Sequence, residues 1–503
     1  MARHWKVILL LILLLGIAIR LFLVITNGQG FFEPDNFYYY SVMKETLANN
    51  GLIPNPLPLS GIGIHTPYQE FPGLIYITLI PYWLMGGMVP LMLVMYAMPV
   101  IFGVLGIIVT YLITKKLFQR ENVALLSAAL FAVLPAAVYR TSAMQYRGES
   151  FVPVLLALFI LWQASDNRNL RLASWVLVPI MLLIWKASAY VILVIAIAYL
   201  LMFIESRPLR TQIKILATAL LVVYVVGFLA LAELELSTNI QGTISEAQPL
   251  TVNLLFIMLS YTVLLAPLAW MQIFLDRVRK RAVLWQWLTA TLIVGVPLAL
   301  LQVRWIFLLG VPMAVFGGMG MHTAYRWIKN IRIGKVHISA PVLVIIFWAF
   351  ALSFSTAYLW EQGAVVGLAP QLEATAWISQ NTPRNATFLS WWSDGSIIEG
   401  WGNRTSYVES VNANSTRINA FARFILAHNG NYSYIKEVKP DYLFISNYTP
   451  IIAGIEQDGN LTNADINMTD TNLAHLMDGN VSLPLVYSYN GVEIYNVTHL
   501  WKT

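Results

Sequence analysis

The 503-residue chain contains no cysteine, which excludes disulfides, thiolate metal sites and cysteine nucleophiles. Charge is nearly as scarce: Asp, Glu, Lys and Arg make up 11% of residues against 58% hydrophobic. A soluble domain carries about a quarter of its residues as charges, so a water-soluble enzyme is excluded. The mean hydropathy is +0.65, and the apolar residues come in blocks of about twenty, enough to cross a bilayer.

The charges that exist are unevenly placed. Residues 1–364 hold 24 Lys/Arg against 13 Asp/Glu, whereas residues 365–503 hold 7 against 12. The basic excess belongs to the apolar part and marks its cytoplasmic loops, so it does not argue for a nucleic-acid partner. Hydropathy predicts about eleven spans, near 6–26, 89–115, 122–140, 150–165, 172–186, 187–204, 212–232, 252–274, 283–301, 304–325 and 338–358. The run Val7–Val24 is long and no small-residue cleavage site follows it, so it is read as a membrane helix rather than a signal peptide. Met1–Lys6, Lys115–Arg120, Asp166–Arg171, Glu205–Lys214, Asp276–Arg281 and Arg326–Lys335 are rich in Lys or Arg and fall on alternate connections. The N terminus is then expected in the cytoplasm and the C terminus outside, in the cell membrane. That parity requires Phe71–Gly87, interrupted by Pro72 and Pro81, not to cross. It would belong to a long first external loop, about residues 27–88.

The expected domains are a transmembrane catalytic domain over 1–364 and an extracytoplasmic mixed α/β globular domain over 365–503. In the latter, short apolar strands such as Tyr442–Ile445 and Val492–Tyr495 alternate with turns and a helix near Thr416–Ala427. Sequons N-x-S/T begin at Asn385, Asn403, Asn414, Asn431, Asn447, Asn460, Asn467, Asn480 and Asn496, and none occurs earlier. This distribution points to a domain exposed to a glycosylation machinery.

Ionisable residues at the external helix ends are the chemical candidates. Glu33 and Asp35 lie in the first loop, Arg147 and Glu149 in the second, Glu246 after the seventh span, and Arg304 at the start of the tenth. Carboxylates from three loops on one side can converge on a hard divalent cation, which prefers oxygen ligands. The bland alternative is a set of solvated loop charges.

Four motifs sharpen this choice. Trp391-Trp392-Ser393-Asp394-Gly395, continuing to Gly402-Asn403-Arg404-Thr405-Ser406, resembles the W-W-D-Y-G signature of the oligosaccharyltransferase catalytic subunit family and the G-N-R-T-S that follows it. Thr243-Ile244-Ser245-Glu246 matches the family's T-I-x-E motif. Glu33-Pro34-Asp35, with its tail Asn36-Phe37-Tyr38-Tyr39-Tyr40, looks like the first D-x-D-type motif, and Arg304 is similar to the family's arginine at the outer end of a late helix. The resemblance runs from about residue 6 to residue 497 and is strongest to the short archaeal members.

It implies a GT-C-type fold of about 11–13 transmembrane helices. It also implies inverting transfer of an oligosaccharide from a polyprenyl or dolichyl (di)phosphate carrier to the asparagine of N-x-S/T sequons, with Mn²⁺ or Mg²⁺ as cofactor. The implied partners are the lipid-linked donor, acceptor polypeptides and the bilayer, with a single-subunit enzyme as one form. Asp35 and Glu246 become the catalytic candidates, and Asp35, Glu149 and Glu246 the metal ligands. Arg304 becomes the lipid-phosphate ligand, and Trp391, Trp392, Ser393 and Asp394 the readers of the sequon hydroxyl. Gly395 would give the backbone freedom to turn Asp394 toward that hydroxyl.

Three departures stand out. The acid of the tryptophan motif sits one position late, Arg147 replaces an acid in Arg147-Gly148-Glu149, and two spans fewer are counted than the family's thirteen. The altered second motif leaves room for another polyprenyl-phosphate-sugar glycosyltransferase of similar architecture with a different acceptor. A transporter would call for inverted repeats and mid-membrane charges, and neither is expected here.

Overall fold

The computed structural model describes residues 4–27, 30–31, 33–59, 72–205, 249–275, 282–328, 332–333, 336–337, 340–365, 368–408, 415–428, 430–446, 471–477 and 483–502. The chain divides into two compact units: residues 1–29, 71–228 and 246–365 form the first, and residues 30–70, 229–245 and 366–503 the second. The first-loop segment therefore belongs with the C-terminal residues.

The first unit is helical. Trp5–Thr26, Leu91–Phe118, Ala187–Glu205, Val283–Leu301 and Val303–Trp327 are, among the described residues, long and apolar enough to cross a bilayer. Some other expected spans are built from shorter pieces, although Ala340–Val365 is one helix of 26 residues. Pro135 splits one into Glu121–Val133 and Pro135–Arg140, and Ser260, at φ 51°, separates Val252–Leu259 from Thr262–Leu275. The expected span 212–232 lies outside the described residues. Gly73–Leu84 forms a helix of 12 residues with Pro81 inside it. At about 1.5 Å per residue it rises roughly 18 Å, short of the ~30 Å hydrocarbon thickness.

One charge does lie inside a span. Arg20, in the helix Trp5–Asn27, is fully buried. Its guanidinium donates to Thr141 Oγ1 at 2.7 Å, to the Gly16 carbonyl at 3.0 Å and to the Ala132 carbonyl at 3.1 Å. The Ala132 carbonyl belongs to the last turn before Pro135, where intrahelical donors run out. Arg20 thus staples the first helix to a helix end and does not mark a transport path.

The second unit is built on a five-stranded mixed sheet. Its strands are β3 (Thr387–Leu389), β4 (Thr405–Ser406), β5 (Tyr442–Ile445), β6 (Leu485–Tyr489) and β7 (Val492–Asn496); β1 (Arg332–Ile333) and β2 (Val336–His337) form a separate antiparallel pair. The order is β4-β3-β5-β7-β6, with β3 parallel to both of its neighbours and β7 antiparallel to β5 and β6. Successive strand residues point to opposite faces, and both faces are covered. Leu389, Leu443 and Tyr495 join the core of the Ser415–Leu426 helix, while Phe388, Phe444 and Ile494 join that of the Ala369–Asn381 helix. The expected strands and helix thus stand where the alternation placed them.

Arg404, in the Gly402–Ser406 stretch, is scaffold. It is 3% exposed and binds the carbonyl end of the Ala369–Asn381 helix, donating to Thr382 O at 2.7 Å, Ser379 O at 3.0 Å and Thr382 Oγ1 at 3.0 Å. A lysine keeps the charge but cannot reproduce this fork. Arg404→Lys is expected to cost about 1–2 kcal/mol, the worth of one or two lost charge-assisted bonds, read as an earlier melting transition with peptide binding unchanged.

Candidate active site

In the second unit, Pro34 occupies the first turn of the helix Pro34–Ala48, where its missing N–H costs nothing. Asp35 stands in that same turn, half-buried, with Glu33 buried at the N-cap. Negative charge at a helix N-terminus is favoured by the backbone dipole. This first-loop helix packs on the motif helix Trp392–Gly400. Phe37 meets the Trp401 ring edge-on at 6.3 Å, Lys44 Nζ donates to the Gly400 carbonyl at 3.0 Å, and Lys44 lies 5.2 Å from the Tyr40 ring centre. Beyond the helix, the Leu59 carbonyl accepts from Ser406 N at 3.3 Å. The structure therefore brings Asp35 and the tryptophan motif into one body, whereas the sequence reading assigns them to separate domains, 1–364 and 365–503.

Trp391 is the N-cap of the motif helix and is buried against Phe421. Trp392 is half-buried at 6.3 Å from the Trp391 ring. Among the described residues neither indole N–H has a hydrogen-bond partner. A buried donor without a partner forgoes energy that a ligand acceptor can restore. Ser393 is half-exposed beside them, whereas Asp394 is 4% exposed and accepts from Ser446 Oγ at 2.6 Å. Helix geometry explains this placement: the third position of the first turn faces the sheet. Gly395 does not act through a special turn. It is helical, and a Cβ there would overlap the Val408 carbonyl and Ser406 Oγ, so its role is close approach.

Burial holds the Asp394 carboxyl up at about 7, partly offset by the Ser446 bond, and Glu45 is likewise raised to about 7 by burial. Both folded values lie above the ordinary carboxylate range, so the native unit keeps protons that the unfolded chain has released. Stability is then fully present below pH ~4 and falls as pH rises toward about 7, where it levels off. For Asp394 the slope approaches about 1.4 kcal/mol per pH unit. Thermal melts between pH 5 and 8 should show this decline, and Asp394→Asn should make it shallower, leaving the share due to Glu45.

In the first unit, Glu149 opens the helix Gly148–Gln163 and is 7% exposed. Arg147 N donates to Ser150 Oγ at 3.4 Å, and Ser150 N donates to the Arg147 carbonyl at 3.0 Å. Gly148 lies against Trp185, where a Cβ would overlap the indole. Trp185 contacts Trp305 at 5.2 Å, and Tyr190 closes the cluster at 5.9 and 5.6 Å from the two. Arg304 sits 5.7 Å from the Trp305 ring centre and donates to Gln302 Oε1 at 2.8 Å. Gly148 and Arg304 thus lie against one wall of tryptophans, whose residues no motif announced. Nearby in sequence, an apolar cleft of about 440 Å³ is lined by Leu255, Leu259, Val296, Leu300, Leu309 and Met313. Glu246 lies outside the described residues, and among the described residues no three acidic or histidine side chains cluster as a metal site.

Comparison with known proteins agrees with the fold. Residues 5–359 match the sequence model of the family described as Oligosaccharyl transferase STT3, N-terminal. The dolichyl-phosphooligosaccharide-protein glycotransferase 2 of Archaeoglobus fulgidus is 29% identical over 213 residues, 41% of this chain and 35% of that one. The STT3 subunit of the Dictyostelium discoideum dolichyl-diphosphooligosaccharide–protein glycosyltransferase is 26% identical over 124 residues, 22% of this chain and 17% of that one. The match to the archaeal relative thus spans about a third of that protein's length. Among solved structures, the archaeal oligosaccharyltransferase AglB from Archaeoglobus fulgidus, in complex with an inhibitory peptide and a dolichol-phosphate, superposes with a TM-score of 0.68 at 15% identity. It covers 98% of this chain and 74% of that one. ArnT from Cupriavidus metallidurans bound to undecaprenyl phosphate gives a TM-score of 0.58 at 12% identity, covering 100% and 99%. The fold is a multi-pass membrane fold of the GT-C type with a C-terminal mixed α/β domain, and by the match over residues 5–359 the chain belongs to the oligosaccharyl transferase STT3 family.

Proposed function

We propose that the chain is a glycosyltransferase that moves an oligosaccharide from a polyprenyl or dolichyl phosphate carrier to the asparagine of N-x-S/T sequons, with inversion. The observation that carries this reading is the joining of Asp35 and the Trp391–Asp394 motif in one unit, with two unpaired indole donors and a half-exposed serine beside them.

An amide nitrogen is a poor nucleophile because its lone pair is delocalised into the carbonyl. Asp35 and Glu246 would accept the two N–H bonds, weaken that delocalisation and take one proton. The nitrogen then forms a bond to the sugar C1 as the C1–O bond breaks, and the lipid phosphate leaves with the electron pair. Arg304 would bind that phosphate through charge-assisted bonds, and the apolar cleft beginning at Leu300 and Leu309 suits an isoprenoid tail. Asp35, Glu149 and Glu246 are hard oxygen donors that fit Mn²⁺ or Mg²⁺. When bound, the ion would offset the negative charge that develops on the leaving phosphate.

Trp391, Trp392, Ser393 and Asp394 would read the hydroxyl two residues after the acceptor. We assign the N terminus to the cytoplasm and the second unit to the outside of the cell membrane, on the alternation of basic connections. Purified protein, a lipid-linked donor extract and a fluorescent N-x-T peptide test the reading. A glycan-sized gel shift of the N-x-T peptide and none for N-x-A is the expected outcome. Transfer to neither peptide would remove the proposal.

A further inference from the structure

We propose that Tyr146 is a positioning residue whose hydroxyl, gripped by the short helix Gly73–Leu84, sets the place of Glu149; this rests on the metal-ligand role proposed for Glu149 above. Tyr146 opens the turn that carries Arg147, Gly148 and Glu149, and it is fully buried. Its ring stands edge-on to Phe151 at 5.4 Å, and Phe151 stands edge-on to Phe102 at 4.9 Å. A phenylalanine would fill that space equally well, so ring packing does not account for the hydroxyl. A buried hydroxyl is costly unless it is bonded. Here Tyr146 Oη donates to the Leu74 carbonyl and lies 2.6 Å from Thr78 Oγ1, which is itself fully buried. With the phenol proton on Leu74, Thr78 donates to the phenol oxygen. Leu74 and Thr78 stand one turn apart in the Gly73–Leu84 helix, so two of its turns hold one atom of the Glu149 loop.

The same helix reaches the tryptophan wall. Gly73, its first residue, lies so close to Leu183 and Ile184 that a Cβ would overlap the Leu183 carbonyl. Ile184 directly precedes Trp185, and Trp185 lies against Gly148. The contacts close a ring from Tyr146 through the Gly73–Leu84 helix and Leu183–Trp185 back to Gly148. Both neighbours of Arg147 are therefore held, and Glu149 follows as the second residue of its helix. Gly148 is held by shape alone, whereas Tyr146 is held by directional bonds, and direction is what fixes a side chain's aim. Outer contacts that orient a metal ligand are worth about 10–100-fold in metal affinity. Removing the hydroxyl leaves Thr78 a partner. In Tyr146→Phe its Oγ1 turns back on the carbonyl four residues earlier, as Thr46 does on Val42 O and Thr114 on Thr110 O, each at 2.7 Å. The variant is thus expected to fold, and its loss to fall on the placement of Glu149.

The test uses the full-length protein in detergent. Mn²⁺ binding is followed by the electron paramagnetic resonance signal of the free ion, up to millimolar metal, beside transfer to an N-x-T peptide. Tyr146→Phe should weaken Mn²⁺ binding about tenfold and lower kcat, with KM for the peptide and the melting transition unchanged. Thr78→Val should move both quantities in the same direction. In a Glu149→Gln background, Tyr146→Phe should alter Mn²⁺ binding by less than about twofold, because the group it positions is gone. With an active, Mn²⁺-binding wild type, unaltered binding in both Tyr146→Phe and Thr78→Val overturns the proposal alone. So does equal weakening by Tyr146→Phe in both backgrounds. An early melt in both variants assigns the hydroxyl to folding and overturns it too. A wild type that binds no Mn²⁺ removes the metal-ligand role of Glu149, and this inference falls with it.

Discussion

Asp35→Asn and Glu246→Gln are each expected to lower glycan transfer at least about a hundredfold, as removing one pre-organised charged group from a transition-state site does. Both changes are nearly isosteric, and they replace an acceptor-only carboxylate with a carboxamide that cannot take a proton from the nucleophile. The fold should survive Asp35→Asn. The first-loop helix is held to the motif helix by Phe37 against Trp401 and by Lys44 on the Gly400 carbonyl, none of which uses the Asp35 side chain. A circular-dichroism melt unchanged beside lost turnover would separate chemistry from folding. Full activity in either variant would take that residue out of the site.

The second large effect concerns the acceptor. A site built to hydrogen-bond a hydroxyl rejects an analogue lacking it, because its own groups are left unpaired. Transfer to N-x-T should therefore exceed transfer to N-x-V by at least about a hundredfold, the order seen for hydroxyl-reading sites. From sequence, Asp394 is the favoured reader, since a carboxylate needs no donor partner. We propose a different division of the roles. Asp394 is turned inward onto Ser446, while Ser393 is half-exposed next to two unpaired indole N–H groups. Ser393→Ala should raise KM for N-x-T peptides about fivefold, the value of one neutral hydrogen bond, with melting unchanged. Asp394→Ala should raise KM and also lower the melting point, because Ser446 loses a buried partner. Replacing both Trp391 and Trp392 by Phe keeps the rings and removes the donors, and should shrink the N-x-T over N-x-V preference below about tenfold. If Asp394→Ala alone erases the preference at unchanged stability, the carboxylate is the reader after all.

Much of the fold was legible because it rests on periodicity. Short apolar runs between turn residues placed Tyr442–Ile445 and Val492–Tyr495, and hydropathy placed the longer apolar runs, now seen as helices wherever they are described. What escaped the sequence was whatever depends on long-range pairing. No local pattern says that residues 30–59 join the C-terminal unit, because that association comes from Phe37, Lys44 and Leu59 meeting Trp401, Gly400 and Ser406, more than 300 positions away. No sequence motif marks the wall of Trp185, Tyr190 and Trp305, which joins Gly148 to Arg304. Gly395 illustrates a second limit: glycine reads as a turn in sequence, but here it answers to a carbonyl packed against it.

The central claim is metal-assisted transfer from a lipid carrier to sequon asparagine, and the peptide assay run with and without EDTA tests it most directly. Chelation should abolish the shift of the N-x-T peptide, added Mn²⁺ or Mg²⁺ should restore it, and Asp35→Asn should stay inactive in excess metal. Undiminished transfer in EDTA, or glycan arriving on some acceptor other than the asparagine, would contradict it.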